Sequence, residues 1–575
     1  MPVKNRNIVE IFNEVADLLE VEGANPFRVR AYRNAARTVD ELSGNVADML
    51  EKDEDLSKLP GIGEDLAEKI NEIVKTGELS QLKELQSRIP SERVKMTAIE
   101  GLGPKRVHFL HRELGIESLE DLKAAAEKEK IRHLSGFGPK MEKKILEGIE
   151  KLAGKKERYL LKDVEEIAEA FREHLNKVRG VKKVMVAGSY RRCRETVGDL
   201  DILAACGKDS KGEVMEAFVD QEDVVEVVSR GETRSTVIAR GGLQLDLRVV
   251  AQESYGAAMH YFTGSKAHNI AVRRLGGEKN LKINEYGVFK GDERVAGKTE
   301  EEVYHKLGLA YIEPELRENR GEIEAAQKGG LPQLVTLEDL RGDLHSHTRL
   351  TDGRNTLEEM AEAARARGYD YLAVTDHSQK VTVAHGLDVK RLRTQLEEID
   401  RFNDSSKGIR VLKSIEVDIL EDGTLDLPEE VLRELDLTVC SVHYHQNMSG
   451  SRMTERILRA MDNPCFHILG HPTGRLIGRR DAYEVDMEKV LEAAAKQGCF
   501  LELNSQPDRL DLSDVHCMQA KEMGVKIAIS TDAHSIAELD FMRFGMGQAR
   551  RGWLEAKDVL NTRPWNEIRK MLRRG

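Results

Sequence analysis

Nine potential metal ligands fall between Asp343 and the segment just past Thr531: His345, His347, Asp352, His377, Glu416, His443, His471, Asp532 and His534. They sit in short motifs, a His-x-His, a Thr-Asp-His, a Gly-His-Pro and a Thr-Asp-Ala-His. Mixed imidazole and carboxylate ligands suit zinc, manganese or iron, and a shared carboxylate such as Glu416 can bridge two ions. A cluster of two or three such ions would hold a hydroxide and clamp a phosphate, which points to phosphoester hydrolysis.

A second constellation lies upstream, in Gly188-Ser-Tyr-Arg-Arg-Cys-Arg-Glu-Thr-Val-Gly-Asp-Leu-Asp201. On a strand, Asp199 and Asp201 project from the same face. Asp246, in Gln244-Leu-Asp-Leu-Arg248, alternates with leucines on what should be a neighbouring strand. Three converging carboxylates are what two magnesium ions need, one to activate a primer 3′-hydroxyl and one to hold a triphosphate. Gly188 permits close backbone approach, and Ser189 and Arg192 can donate to phosphate oxygens. An Asp-x-Asp alone is often a solvated strand end; the combination with Gly-Ser and a later Asp-x-Arg is far more specific. Downstream, Tyr261-Phe-Thr-Gly-Ser-Lys-Ala-His-Asn269 places two aromatics before a Thr-Gly turn. Those rings could stack on a sugar and crowd out a 2′-hydroxyl, or could simply pack a core.

The elements that must position these residues change in texture along the chain. Residues 1–150 are helical, with apolar periodicity over Ile8–Leu19, Ala31–Leu42 and Leu66–Val74. Within them a pattern recurs three times: Leu59-Pro-Gly-Ile-Gly63, Ile99-Glu-Gly-Leu-Gly103 and Leu134-Ser-Gly-Phe-Gly138. Each is followed by a helix bearing Lys or Arg. Paired glycines allow a tight turn that points backbone N–H groups outward at a helix N-terminus, a phosphate cradle. This matches the helix-hairpin-helix element, which binds DNA backbone without reading sequence. Strand-like runs follow at Lys183–Ala187, Asp199–Ala205, Val224–Val228, Ser235–Ile238 and Leu243–Val250. Gly-Gly-Leu-Pro at 329–332 suggests a linker over 316–340. Beyond it, Tyr371–Thr375, Val411–Ser414, Leu437–Val442, His467–Leu469, Phe500–Leu503 and Lys526–Ile529 alternate with helical stretches, the pattern of a parallel barrel with ligands after its strands.

The 575 residues accommodate about three to five domains. No apolar run is long enough to span a membrane and Met1-Pro-Val-Lys-Asn does not begin a signal peptide, so a cytoplasmic protein without membrane partners is expected. Six cysteines without Cys-x-x-Cys spacing read as reduced and mostly buried. A net charge of −12 is unusual for a nucleic-acid binder, but residues 151–200 hold 13 Lys/Arg against 8 Asp/Glu, a local surplus able to track phosphates.

On these residues, 1–315 resembles an X-family DNA polymerase related to DNA polymerase beta, and 341–575 resembles a polymerase-and-histidinol-phosphatase (PHP) domain. Together they resemble the bacterial X-family polymerases with a C-terminal PHP domain. The resemblance implies a multidomain α+β and α/β protein: an 8-kDa-like helical DNA-binding domain over 1–87, a helix-hairpin-helix subdomain over 88–155, a nucleotidyltransferase palm over 156–255, a nucleotide-binding subdomain over 256–315, and a distorted β/α-barrel PHP phosphoesterase over 341–575.

It further implies that Asp199, Asp201 and Asp246 are the catalytic, metal-binding triad, served by Mg2+ or Mn2+. Gly188, Ser189 and Arg192 would hold the triphosphate, with Tyr261, Phe262, Gly264, Lys266 and Asn269 around sugar and base. DNA would be met by Arg273 and by the hairpin residues Gly61, Gly63, Lys69, Gly101, Gly103, Lys105, Gly136, Gly138 and Lys140. The nine ligands match the PHP positions one for one, for two or three Zn2+ or Mn2+ ions, with Glu416 bridging and Arg349, Arg475 and Lys380 as phosphate contacts.

The implied function is a monomeric repair polymerase filling short gaps in gapped or nicked DNA from deoxynucleoside triphosphates. It would be coupled to a 3′–5′ exonuclease, with abasic-site cleavage and 3′-phosphate removal as further activities. Template-independent nucleotidyl transfer and a DNA-end scaffold with a structural PHP domain are the alternatives.

The chain departs from the family at Lys266, where animal enzymes have an aspartate, at Ile270 for a lysine and at Val197 for a serine. Lys69 aligns with a Schiff-base lysine, yet Asp65 replaces a nearby lysine and Glu68 adjoins, a setting that favours an ammonium over a nucleophile.

Overall fold

The computed structural model describes residues 5–40, 46–51, 55–77, 79–89, 93, 96–99, 101–154 and 158–572. The chain divides into two units, Met1–Glu157 and Arg158–Gly575.

Apolar residues at helical spacing build the first unit. Helices Asn5–Glu22 and Pro26–Asp40 bury Phe12, Val15, Leu19, Tyr32 and Val39. The Phe12 and Tyr32 rings meet edge to face at 5.3 Å, a favoured aromatic geometry. Leu42, expected at the end of the second helix, lies outside the described residues, as does Glu100 of the second glycine repeat.

The three glycine repeats fold alike. A 3-10 turn (Leu56–Lys58, Met96–Ala98, Ile131–His133) leads into each. The first glycine is left-handed, with φ of 75° at Gly61, 85° at Gly101 and 82° at Gly136. The residue between the glycines donates its N–H three residues back: Ile62 to Leu59, Leu102 to Ile99 and Phe137 to Leu134. Helices Glu64–Thr76, Pro104–Leu114 and Pro139–Gly154 start directly after the second glycine. A Cβ at Gly63, Gly103 or Gly138 would meet open space, so these helix N-termini stand clear of side chains.

In the second unit, a five-stranded sheet has the order Val181–Val186, Asp199–Cys206, Gln244–Val250, Arg234–Ala239, Val224–Arg230. Its second and third strands run parallel and the other neighbours antiparallel. Helices Leu161–Asn176 and Lys211–Val219 cover one face, with Phe171 against Phe218 at 5.5 Å. Helices Tyr255–Thr263 and Lys266–Glu278 and a small antiparallel sheet (Lys282–Asn284, Gly287–Lys290, Glu293–Ala296) follow.

Residues 316–340 differ from the linker expectation. They contain helix Glu322–Lys328 and bury Leu316, Arg317, Ile323, Ala326, Leu334 and Val335, and Val335 N–H donates to the Leu554 carbonyl. The glycine pair is real punctuation, since Gly329 caps the helix in the left-handed region, but the apolar residues on either side of it are packed.

From Gly342 onward, parallel strands alternate with helices. One sheet orders Gly342–Ser346, Tyr371–Val374 and Arg410–Lys413; the other orders Glu416–Asp418, Val439–Ser441, Ile468–Leu469, Phe500–Asn504 and Ile527–Ser530. Parallel bridges His377 to Glu416 and Ser346 to Ala533 join the sheets at both seams, closing a distorted barrel. Gly342–Ser346 and Glu416–Asp418 had no counterpart among the expected strands. No helix among the described residues is long and apolar enough to cross a membrane.

Candidate active sites

In the five-stranded sheet, Asp201 pairs in register with Asp246 on the parallel neighbouring strand, and Asp199 pairs with Gln244. The three carboxylates therefore line one face of two adjacent strands. Asp246 is held by neighbours of its own. It accepts from Thr236 Oγ1 at 2.5 Å, Gln244 Nε2 at 2.8 Å and Arg234 at 3.3 Å. Burial pushes the Asp246 carboxyl up, but these hydrogen bonds outweigh it and hold the group below the ordinary aspartate range.

Gly188 explains itself: its φ is 64°, and a Cβ there would lie 2.7 Å from Asp201 Oδ2. Gly188→Ala should cost about 1–2 kcal/mol of stability for the left-handed backbone alone and displace the Asp201 carboxylate. Thermal unfolding and primer extension should both fall, and an unchanged protein would show that the turn relaxes freely.

Arg192 is engaged within the chain. Its Nε donates to Glu318 at 3.1 Å and its Nη1 to the Thr263 carbonyl, while Nη2 makes no hydrogen bond among the described residues. Gly264 lies against that guanidinium, where a Cβ would be 3.1 Å from Nη1. Ser189 sits one residue into the helix Gly188–Arg191. Tyr261 and Phe262 are half-buried and meet edge to face at 5.1 Å. Arg273 lies 5.9 Å over Tyr261 and Arg248 5.3 Å over Phe262, while Phe262 also packs against the buried cluster of Ala187, Leu203 and Met259. Asn269 donates to the Tyr261 carbonyl at 2.7 Å. Lys266 is exposed at the head of its helix, Ile270 is exposed, and Val197 is fully buried.

Sequence reasoning missed Arg191, Glu300 and Arg317, which form a buried ion network behind this turn. Burial pushes the Glu300 carboxyl up, but Arg317 and Arg191 prevail and hold it at about 2. A charged residue hidden by tertiary packing leaves no local pattern.

In the first unit, Lys105 and Lys140 are exposed beside their hairpins, with Lys105 loosely paired to Glu20 at 3.5 Å. Lys69 is different: its ammonium is ion-paired with Asp65, the residue whose replacement of a lysine the sequence had flagged.

The barrel gathers all nine expected ligands at one place. His345, His347, His377, His443, His471, Asp532 and His534 sit at or just beyond strand C-termini, Asp352 in the loop after the first strand, and Glu416 at the start of its own strand. The Glu416 side chain is essentially buried and its two oxygens face different imidazoles. Oε2 lies 2.8 Å from His377 Nδ1, 3.6 Å from His345 Nε2 and 3.7 Å from His347 Nε2. Oε1 lies 2.9 Å from His471 Nε2 and 3.2 Å from His443 Nε2. Asp532 Oδ1 approaches His347 Nε2 at 3.0 Å, and Asp352 Oδ2 approaches His534 Nε2 at 3.3 Å.

Three tight donor groups result: His347, Asp352, His377 and His534; His345, His347 and Asp532; and His377, Glu416 and His443. The donor chemistry fits metal ions. His345 and His347 aim Nε2 at each other across 3.2 Å, a pairing that needs a cation or a shared proton, and the buried His347 Nδ1 has no hydrogen-bond partner. Burial opposes charge at Glu416, yet His443, His377 and His345 hold it ionised well below the carboxylate range. Burial likewise opposes charge on His345, but Glu502, Asp532 and Glu416 drive it well above the imidazole range. These buried imidazoles and carboxylates together make a donor set suited to metal ions.

A surrounding shell, absent from the expectations, aims the ligands. Glu502 takes His345 Nδ1 at 2.7 Å and the His471 backbone N–H at 2.7 Å, and Asp418 takes His443 Nδ1 at 3.1 Å. Asn504 donates to Asp532 Oδ2 at 3.0 Å. Buried Asp343 accepts from the backbone of His345 and Thr531 and from the Thr531 hydroxyl, and burial raises its carboxyl to about 6. Of the expected phosphate contacts, Arg349 and Lys380 are exposed. Arg475 is not free: it donates to the Arg509 and Leu510 carbonyls and pairs with Glu195 at 2.8 Å.

Comparison with known proteins follows this layout. Residues 3–79 match a helix-hairpin-helix domain, 94–151 a helix-hairpin-helix tandem, 161–246 the DNA polymerase beta palm, 258–318 the DNA polymerase beta thumb and 343–506 the PHP domain. The DNA polymerase/3′-5′ exonuclease PolX of Bacillus subtilis is 39% identical over 99% of both chains. A probable phosphatase of Thermoanaerobacter sp. is 33% identical over 38% of this chain and 89% of its own. DNA polymerase lambda of Arabidopsis thaliana is 26% identical over 55% of this chain and 62% of its own. With palm, thumb and PHP domain in this order and a relative matched from end to end, the chain belongs to the PolX family, the X-family DNA polymerases that carry a C-terminal PHP domain.

Proposed function

We propose that the chain fills short gaps in DNA from deoxynucleoside triphosphates and trims 3′ ends in the 3′-to-5′ direction, each activity at its own centre. The observation that carries this reading is the Glu416 carboxylate, buried and shared between two sets of imidazoles, in a barrel separate in sequence from the Asp199, Asp201 and Asp246 strands. Asp199, Asp201 and Asp246 would hold Mg2+ or Mn2+, and the nine barrel residues Zn2+ or Mn2+. Such ions, when bound, supply Lewis acidity toward phosphate esters and a nucleophile at neutral pH.

The chain's own residues do the rest. Gly188 lets backbone approach the triphosphate, Arg192 offers its unpaired Nη2, and the Tyr261 and Phe262 rings flank the sugar. Glu502 and Asp418 hold His345 and His443 by Nδ1, which fixes the tautomer so that each Nε2 faces the cluster. The Asp65 ion pair argues against Lys69 as a Schiff-base nucleophile and for a surface lysine near the DNA. Manganese should support 3′ hydrolysis better than magnesium, since imidazole-rich sites hold magnesium poorly.

Salt and sequence dependence test the gap-binding half. Affinity for gapped duplex should fall steeply with salt and be indifferent to sequence, and loss of Lys105 or Lys140 should make the slope shallower by about one unit each. Extension should stop once the gap is filled. Equal extension of a single-stranded primer would favour untemplated transfer.

A further inference from the structure

One helix of the barrel packs on the turn that carries Arg192. Helix Met542–Arg551 ends in Arg551, whose side chain is 2% exposed. Its Nη1 donates to the Arg192 backbone carbonyl at 2.9 Å and to Glu318 Oε1 at 2.9 Å, and its Nη2 donates to Asp514 Oδ2 at 2.7 Å. Glu318 Oε1 also takes Arg192 Nε at 3.1 Å. One carboxylate oxygen is thus shared by Arg192 of the polymerase part and Arg551 of the barrel. Asp514, on the barrel side, is braced by Arg320 at 3.0 Å. One turn earlier in the helix, Gly547 packs so closely on Cys193 that a Cβ would lie 2.9 Å from Cys193 Cβ, and Cys193 itself has φ of 52°. The barrel helix therefore touches both the backbone and the side chain of the turn that presents Gly188, Ser189 and Arg192.

We propose that Arg551 is a positioning residue for nucleotide binding: through Glu318 and the Arg192 carbonyl it sets the orientation of the Arg192 guanidinium toward the triphosphate of the incoming nucleotide. This rests on the reading of Arg192 as a triphosphate contact. Arg551 does two things at once. It holds in place the Glu318 carboxylate that receives Arg192 Nε, and it anchors the Arg192 backbone. A single guanidinium reaches all three acceptors because its donors form a planar fork, which a lysine ammonium does not. The barrel, whatever it hydrolyses, is then part of the polymerase's nucleotide site.

The test is steady-state primer extension and 3′ hydrolysis by the full chain carrying Arg551→Ala, Arg551→Lys, Glu318→Gln or Arg192→Ala. For Arg551→Ala, KM for the nucleoside triphosphate should rise about tenfold with kcat nearly unchanged, the signature of lost uniform binding. Hydrolysis of 3′ ends should stay at the wild-type rate. Arg551→Lys should recover only part of the KM. Glu318→Gln, which keeps the side-chain volume, should raise KM on its own. Combined with Arg551→Ala it should add little, because both act through one group. If Arg551→Ala fails to fold, the Glu318→Gln and Arg551→Lys proteins decide the matter. If Arg192→Ala raises KM while these variants leave it unchanged, the relay is wrong but the pocket stands. If Arg192→Ala also leaves KM unchanged, the pocket reading and the relay fall together.

Discussion

Glu416→Ala should abolish 3′-end hydrolysis, a loss on the order of a thousandfold or more, while primer extension remains measurable. The Glu416 carboxylate faces five imidazoles, His345, His347 and His377 through Oε2 and His443 and His471 through Oε1. Removing it deprives His345, His347 and His377 of one shared partner and His443 and His471 of another. The His443 and His471 Nε2 atoms then lose the oxygen they face, and the imidazoles opposite keep Asp532 and Asp352, which weakens every ion the cluster would hold. Losing a ligand at the rim such as Asp352, which faces His347, His377 and His534 and is more exposed than Glu416, should cost less. The check is release of labelled nucleotide from a 3′ end in manganese, with gap filling measured on the same preparation. Equal losses in the Asp352→Ala and Glu416→Ala proteins would remove the bridging role.

The complementary result is expected at the sheet. Asp201→Ala should reduce primer extension on the order of a thousandfold or more and leave 3′ hydrolysis intact. Asp201 is paired in register with Asp246 and lies against Gly188, so it stands between the other acidic strand and the phosphate-binding turn. Asp246→Asn should be nearly as severe. Its carboxylate is kept ionised by Thr236, Gln244 and Arg234, and an amide would keep the shape but lose the charge that a divalent ion needs. Near-normal gap filling by either protein would sink the assignment of this face as the polymerase centre.

The ligand residues were legible in the chain because imidazoles and carboxylates at strand ends are conspicuous in apolar surroundings, as in Thr375-Asp-His377 and Thr531-Asp-Ala-His534. The strands bearing His345 and Glu416 were not. Gly342–Ser346 carries three polar side chains in five residues and Glu416–Asp418 is three residues long, so neither has an apolar run to announce it. Glu502 was missed for the opposite reason: inside Phe500-Leu-Glu-Leu-Asn504 it looks like one polar position in a strand, and only the barrel turns it toward His345. The three glycine hairpins were legible because their conformation is local, fixed by paired glycines three residues past a 3-10 turn. The packing of Val335 on Arg550 and the reach of Arg551 to Glu318 join residues more than 200 positions apart, a separation at which no periodicity or motif survives.

On this reading one chain holds two chemically independent metal-dependent centres. That independence is tested most directly by the transition-metal content and 3′ hydrolysis of the full chain after manganese or zinc loading, with wild type, Glu416→Ala and Asp201→Ala compared side by side. Wild type and Asp201→Ala should retain more than one transition-metal ion per chain and degrade 3′ ends, whereas Glu416→Ala should lose metal and hydrolysis together. A full chain that retains no transition metal and leaves 3′ ends intact in manganese would contradict the account.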